Sequence, residues 1–432
     1  MNTRFKVLTL IVGFALLISS VVVAQDDVEV TFRCYQDGNE CDVYADLLSR
    51  FTEDTGIAVN VDVVPYTNID EQLPIQVEAG EAPDMARITN FGRYQGQYLD
   101  ASEYLDEETV AAWSENYPAP ILAAMTNDGE GLGGFPDAFT VTGPYVNLTL
   151  FELAGVDLPD TATATWEDWT AATAEVQAAL SSDEASIFAI AIDRTGHRFA
   201  GPAMTMGATL INEDGEFTVD TEGYRAMAEL LNRWHVEALT PSEVWLGTGG
   251  GLASAADFFL NGQLAMYMSG SWQINNFATN IDSFDWAVVP NPQGDGGSTG
   301  VAGGAAVAAF SQTANPEAVA QVLAYLVSQD VSSEFAARTN SLSANSAVAS
   351  AGVAYEAENP VVLESLATFA LEVPKLQDQA AGLNVHPFAF AYYRNSADRI
   401  SQYLVGELTL EEALAGLQQD IDDAIAAAAE SS

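Results

Sequence analysis

The succession of hydrophobic patterns predicts an α/β protein in which mostly parallel sheets are flanked by helices. Three observations predict it. Apolar alternation at period two and apolar repeats at helical spacing follow one another along the chain, strand then helix then strand. The same succession begins afresh after residue 145, which gives a second α/β block. An N-terminal export segment leaves 408 of 432 residues, too many for one typical core and suited to two or three domains.

The export segment comes first. Arg4 and Lys6 form a basic start, Val7 to Val23 is an almost unbroken apolar run, and Val22-Val23-Ala24 supplies small residues for cleavage before Gln25. The run is short for a membrane span, and no cysteine stands near the cut to take a lipid. Residues 1–24 are therefore read as a secretory signal peptide.

In the first block "DVEVTF" alternates as a strand, and Tyr44, Leu47, Leu48 and Phe51 repeat as a helix that Gly56 stops. Val59, Val61 and Val63 form a second strand, a helix ends at Gly80, and "PDMARI" is a third strand. Ligands of such sheets bind where the loops leave the carboxyl ends of the strands, here Arg33 to Asn39, Pro65-Tyr66 and Arg87 to Asn90. In the second block Thr165-Trp-Glu-Asp168 starts a helix with Trp169, Thr173, Val176 and Leu180 inward, and "SIFAIAI" is a strand. A helix through Tyr224, Met227, Leu231 and Trp234 follows. "FFLNGQLAMYMSGSWQINNF" then reads as helix, turn at Asn261-Gly262, apolar strand and a stop at Gly270-Ser271. "WAVVP" and "AAVAAF" are strands on either side of the Gly-rich run 294–304. Asn315-Pro316-Glu317 opens a helix, and Thr409 to Glu412 is a capping box for the last one.

Composition excludes several partners. The mature chain carries 12 basic and 61 acidic side chains, a formal charge of −49, which repels nucleic acid and anionic lipid headgroups. Lys375 is its only lysine. Cys34 and Cys41, seven apart across a Gly-Asn turn in an exported chain, are expected to form a small disulfide. None of His197, His235 and His386 stands at ligand spacing from these cysteines or from another histidine, so no metal site is expected. Trp272, placed directly after a strand that ends on small residues, is either core or a surface for a ligand to stack on.

The ordered stretches "FTEDTGIAVNVDVVP", "EAGEAPDM", "YVNLTLFELAGVDLP…TWEDW", "FFLNGQLAMYMSGSW", "WAVVPNP" and "NPEAVAQVLAYLVS" span essentially the whole mature chain. Together they resemble the extracellular solute-binding proteins of ABC importers, in the sugar-binding branch that includes maltodextrin-binding proteins. The resemblance implies a type II periplasmic-binding-protein fold of two lobes, 25–140 with 303–350 and 141–302 with 351–432, joined by hinge crossings. It implies a monomeric, non-enzymatic carrier in the periplasm or outside the cell, with no cofactor, a small-molecule sugar as ligand and a membrane permease as partner. It places Trp272 as the aromatic that stacks on a sugar ring, with Ser271 and Asn275 beside it. The loop after "PDM" nominates Arg87, Thr89 and Asn90, and "FPDAF" nominates Asp137. In "DRTGHRF" His197 stands where relatives carry an aromatic, and "HPFAFAYYRN" nominates Tyr392 or Tyr393. Tyr66 and Trp245 are further candidates, each with rim or core as the alternative.

A secreted carbohydrate-active hydrolase is the rival reading. Gly296 to Gly300, "GGSTG", matches the G-x-S-x-G pattern of a nucleophilic serine, but it lies inside a Gly-rich loop without the required strand before and helix after.

Overall fold

The computed structural model describes residues 28–127, 129–182, 186–212, 214–247, 251–357 and 359–431. The signal-peptide segment 1–24 lies outside them. Ten strands, β1 (Glu29–Cys34), β2 (Ala58–Val63), β3 (Met85–Ile88), β4 (Gly134–Pro136), β5 (Thr140–Asn147), β6 (Phe188–Ile192), β7 (Leu264–Gly270), β8 (Trp286–Val288), β9 (Ala302–Gly303) and β10 (Ala306–Ala309), are formed among the described residues.

They make two sheets. The first has the order β2-β1-β3-β10-β4 and the second β6-β7-β5-β8, with β9 paired to the start of β5. In the first sheet β2, β1 and β3 are parallel, and only the late strand β10 runs against its neighbours β3 and β4. In the second, β6 and β7 are parallel and β5 runs against β7 and β8. Each sheet is thus mostly of one direction, with one antiparallel strand arriving from the other sheet's side of the chain.

The local causes are those of the sequence pattern. The helix Glu40–Thr55 buries Val43, Tyr44, Leu47, Leu48 and Phe51 and stops at Gly56, which takes φ 78°; Gly80 ends Leu73–Ala79 in the same way at φ 77°. Thr165 and Asp168 exchange both bonds of a capping box at the start of Trp166–Leu180. Asn315 departs from the pattern. Its side-chain amide donates to the Glu29 carbonyl instead of capping Pro316–Val327.

Alternate residues of the first sheet face two cores. Met85 and Val307 point to the face covered by Leu47, Phe51 and Leu323, while Ala86 and Ala308 face Leu73, Tyr98 and Phe310. The second sheet lies in a larger core built around Tyr145, Trp169, Phe199, Trp234, Met266 and Phe277. The chain crosses from first sheet to second between Pro136 and Thr140 and returns between Gly303 and Ala306. A third passage follows Leu342, whose carbonyl accepts the N–H of Phe139 at 2.8 Å, and leads to the helix Pro360–Glu372 packed on β8. Cys34 and Cys41 are bonded, as expected, with their Cα atoms 5.8 Å apart.

Candidate functional site

A cavity of about 590 Å³ lies between the two sheets' lobes, against the hinge segments Ala138–Thr140 and Gly303–Ala305. Its size suits a small solute of a few rings. The carboxyl ends of the parallel strands open into it. Tyr35 and Asp37 follow β1, Tyr66 follows β2 and Thr89 follows β3; Arg194, His197 and Arg198 follow β6, and Ser271, Trp272 and Asn275 follow β7. Phe390, Tyr393 and Arg394 reach it from the helix Ala389–Leu404.

The first wall is braced from beneath. The disulfide closes the loop after β1, and inside that loop a Glu40 carboxylate oxygen accepts from the N–H groups of Asp37 and Gly38 at 3.1 and 2.9 Å. Arg87 is 3% exposed and lies over the Tyr35 ring at 4.5 Å. Its Nε donates to Asp137 at 2.7 Å and another nitrogen donates to the Tyr35 carbonyl at 3.0 Å. Asp137, itself 8% exposed, also accepts from the Tyr44 hydroxyl at 2.9 Å. This is a buried, hydrogen-bonded ion pair at the root of the first crossing. Desolvation pushes the Asp37 carboxyl up to about 6, with Arg87 opposing that rise and Glu40 adding to it.

On the second wall, the Trp272 ring lies against Gly270, where a Cβ would come within 2.0 Å of the indole. The Arg198 guanidinium covers the ring at 4.3 Å from its centroid. Ser271 accepts from the N–H of Val141 at 3.3 Å and so ties the end of β7 to β5. His197 is buried; its Nε2 donates to the Ala302 carbonyl at 3.2 Å on hinge strand β9, and its ring meets those of Trp272 and Tyr393. Burial, then the neighbouring Arg198, lowers its pKa to about 3 against the pull of Ala302, so the imidazole is neutral; its Nδ1 has no partner among the described residues.

The nominated residues thus fall into groups. Trp272, Ser271, Asn275, Arg87, Thr89, His197, Tyr66 and Tyr393 come together around the cavity. Several depart from their expected parts. The Asn275 side-chain amide donates to Asn39 at 3.2 Å and to the Thr339 carbonyl, and its oxygen accepts from Asn340 at 2.6 Å. Its polar atoms therefore join the two lobes. Asp137 sits behind Arg87, off the cavity surface, and Asn90 is not among the lining residues. Trp245 belongs to the core: it is 1% exposed, with its indole N–H donating to the Ile192 carbonyl at 2.9 Å. Tyr392 is likewise in the core, stacked on Phe217. The more open aromatic surface in the cleft is Tyr66, 42% exposed and oriented by a 2.9 Å bond between its hydroxyl and Thr89. Asp70, Glu71, Phe390 and Arg394 also line the cavity, and the sequence pattern singled out none of them. Phe390 and Arg394 could have been found by the helical spacing to Tyr393 and Ala397.

The serine of "GGSTG" lies in the loop between β8 and β9, and its hydroxyl donates to the Asn291 carbonyl at 2.8 Å. It has neither a strand directly before it nor a helix directly after it, so this is no nucleophile elbow.

Two α/β lobes joined by extended crossings, with an aromatic and polar cavity at the crossings, define a protein that holds a solute between its lobes. Residues 46–361 match the model of the bacterial extracellular solute-binding proteins, and the chain belongs to that family. A binding protein of Brucella abortus is 24% identical over 300 residues, which cover 66% of this chain and 67% of the relative. Among solved structures, an ABC substrate-binding protein from Listeria monocytogenes in complex with cycloalternan superposes with a TM-score of 0.73 at 20% identity, over 93% of this chain and 100% of that one. The maltose/maltodextrin-binding domain from Bdellovibrio bacteriovorus bound to maltotriose gives 0.74 at 16% identity, over 92% and 100%. At these identities the shared property is the fold.

Proposed function

We propose that this chain is the exported substrate-binding subunit of an ABC importer and that it carries a carbohydrate, a disaccharide or oligosaccharide, in the interlobe cleft. The supporting observation is a cavity of about 590 Å³ lined from both lobes by aromatic rings interleaved with hydrogen-bonding side chains. A pyranose has apolar C–H faces and a rim of hydroxyls that both donate and accept. The open Tyr66 ring, and the part of Trp272 that Arg198 leaves exposed, match the faces, while Thr89, Ser271 and the Tyr393 hydroxyl, which has no partner among the described residues, match the rim. The sugar complexes of the Listeria and Bdellovibrio relatives agree with this choice.

On this reading residues 1–24 are removed on export, and the lobes divide as 25–140 with 303–350 and 141–302 with 351–432. The protein works in the periplasm or outside the cell as a monomer, delivers its ligand to permease subunits, and does not turn it over. No helix among the described residues is long and apolar enough to cross a membrane. A thermal-shift screen against a glycan panel tests the assignment. A ligand at about 100 times its Kd adds about 2.7 kcal/mol to stability, a readable shift. Hydrolysis of any bound glycan would overturn the carrier role, and binding confined to amino acids or peptides would overturn the carbohydrate.

A further inference from the structure

Arg198 forms a loose ion pair with Asp193 but makes no side-chain hydrogen bond to a described residue. Its side chain is 26% exposed, and its Nε stands 3.6 Å from Asp193, beyond hydrogen-bonding distance and without another partner. No other side-chain nitrogen of Arg198 bonds to a described residue. Asp193 is already occupied, since its two oxygens accept from the hydroxyls of Tyr267 at 2.7 Å and Ser269 at 2.8 Å. The guanidinium is meanwhile laid over the Trp272 ring at 4.3 Å. A fork held by an aromatic surface, with its N–H groups uncommitted, is preorganised to receive two oxygens of a planar or tetrahedral anion.

The surroundings favour the same ligand chemistry. Acidic side chains outnumber basic ones by 61 to 12 in the mature chain, yet the cavity is lined by four arginines, Arg87, Arg194, Arg198 and Arg394, against five carboxylates. Arg87 is matched by Asp137, Arg194 by Asp398 and Arg198, at the looser distance of 3.6 Å, by Asp193, whereas Arg394 has no carboxylate within ion-pair distance among the described residues. A third of the mature protein's cations therefore converge on one cavity of a chain that elsewhere repels anions.

We propose that the saccharide bound in the cleft carries an oxyanion, a carboxylate or an ester of sulfate or phosphate, received by the Arg198 fork on Trp272. This rests on the carbohydrate reading above and narrows it to acidic sugars. Across the cavity from Arg198 stands Asp37, whose carboxylate has no hydrogen bond to a described residue and feels the charge of Arg198 after that of Arg87. An acidic ligand takes the place that Asp37 would take on closure.

Calorimetry on the full exported chain tests this, with neutral malto-oligosaccharides set against oligogalacturonates, sulfated disaccharides and sugar phosphates of matched length. The expected result is that one acidic class binds at least about tenfold tighter than its neutral counterparts, and which class it is identifies the oxyanion. Arg198→Met should then lower that affinity on the order of a hundredfold and leave weak neutral binding in place. Arg198→Lys should recover part of the loss, and Asp37→Asn should tighten acidic binding. Tightest binding by a neutral oligosaccharide, weakened alike by Arg198→Met and Asp37→Asn, would overturn the proposal and make the pair a closure contact, with the carbohydrate carrier intact. Binding by no saccharide at all would remove both. Circular dichroism and melting of each variant separate lost contacts from lost folding.

Discussion

Gly270 shows why β7 closes on small side chains before a tryptophan. The indole occupies the space its Cβ would need, to within 2.0 Å, so only glycine lets Trp272 lie back against the strand and carry Arg198 on its ring. Gly270→Ala should push the ring out of place without disturbing the inward-facing core of the strand. Loss of a central aromatic anchor costs about 2 kcal/mol or more, so affinity for the cognate ligand is expected to fall about thirtyfold while the melting temperature changes little. Calorimetry and a melting curve on the same variant check both halves, and unchanged affinity would return Trp272 to a packing role. His197 makes a second prediction at this scale. Its pKa is lowered to about 3 by burial and by Arg198, against an ordinary value of 6.5. Between those values the unfolded chain binds a proton that the folded chain refuses, so the histidine's contribution to stability is lost as pH falls through that window. His197→Gln, which keeps a donor for the Ala302 carbonyl, should flatten this part of the profile. Urea unfolding of both proteins between pH 7 and 4 reads the difference. The opposite slope from Asp37, whose raised pKa stabilises the folded state at low pH, is common to both proteins and cancels in the comparison.

At the scale of elements, the loop Cys34–Cys41 couples the fold to the site. The bond spans a sequence separation of 7, so by chain entropy it adds modestly to stability; its greater effect is to fix Tyr35 and Asp37 at the cleft edge. Replacing both cysteines with serine should weaken ligand binding more than it lowers the denaturation midpoint. A large stability loss with unchanged affinity would reverse that ranking. Elements of this kind were largely legible in the sequence because their causes are local. Left-handed glycines at 56 and 80 stop helices, Thr165 and Asp168 cap one, and alternation marks β1 and β2. The strand ends also pointed to Tyr35, Tyr66 and Thr89. What periodicity does not encode is where a side chain spends its contacts at sequence separations of 53 residues or more. Asn275 reads as a ligand donor beside Trp272, yet its amide is taken up by Asn39, Thr339 and Asn340. Trp245 reads as either cleft or core, and only the four-residue helix that turns it towards the Ile192 carbonyl decides for the core. The placement of Arg198 over Trp272 depends on β6 and β7 lying side by side, a pairing between segments some 70 residues apart.

For the whole molecule, the expectation is that a balance between open and closed forms sets function, because a carrier must hold its ligand and signal that it holds one. The crossings at residues 137–139 and 304–305 are short and extended, so rotation there leaves both cores intact. Charge opposes closure. By the proposed division, one lobe carries 27 acidic and 5 basic side chains and the other 34 and 7, so each is strongly negative and the two repel. Against this stand the Asn275 bonds beside the hinge and whatever the ligand adds by touching both walls; the ligand shifts the population only by its differential affinity for the closed form. Two outcomes follow for small-angle scattering. Cognate ligand should shrink the radius of gyration with secondary structure unchanged by circular dichroism. Without ligand, raising ionic strength from about 0.01 to 1 M, which shortens the screening length from about 30 to 3 Å, should shrink it as well. Salt should therefore strengthen binding through closure while weakening the direct Arg198–anion contact, so an Arg198→Met protein should show the strengthening alone. Scattering curves indifferent to both ligand and salt would leave a rigid receptor and remove the closing clamp.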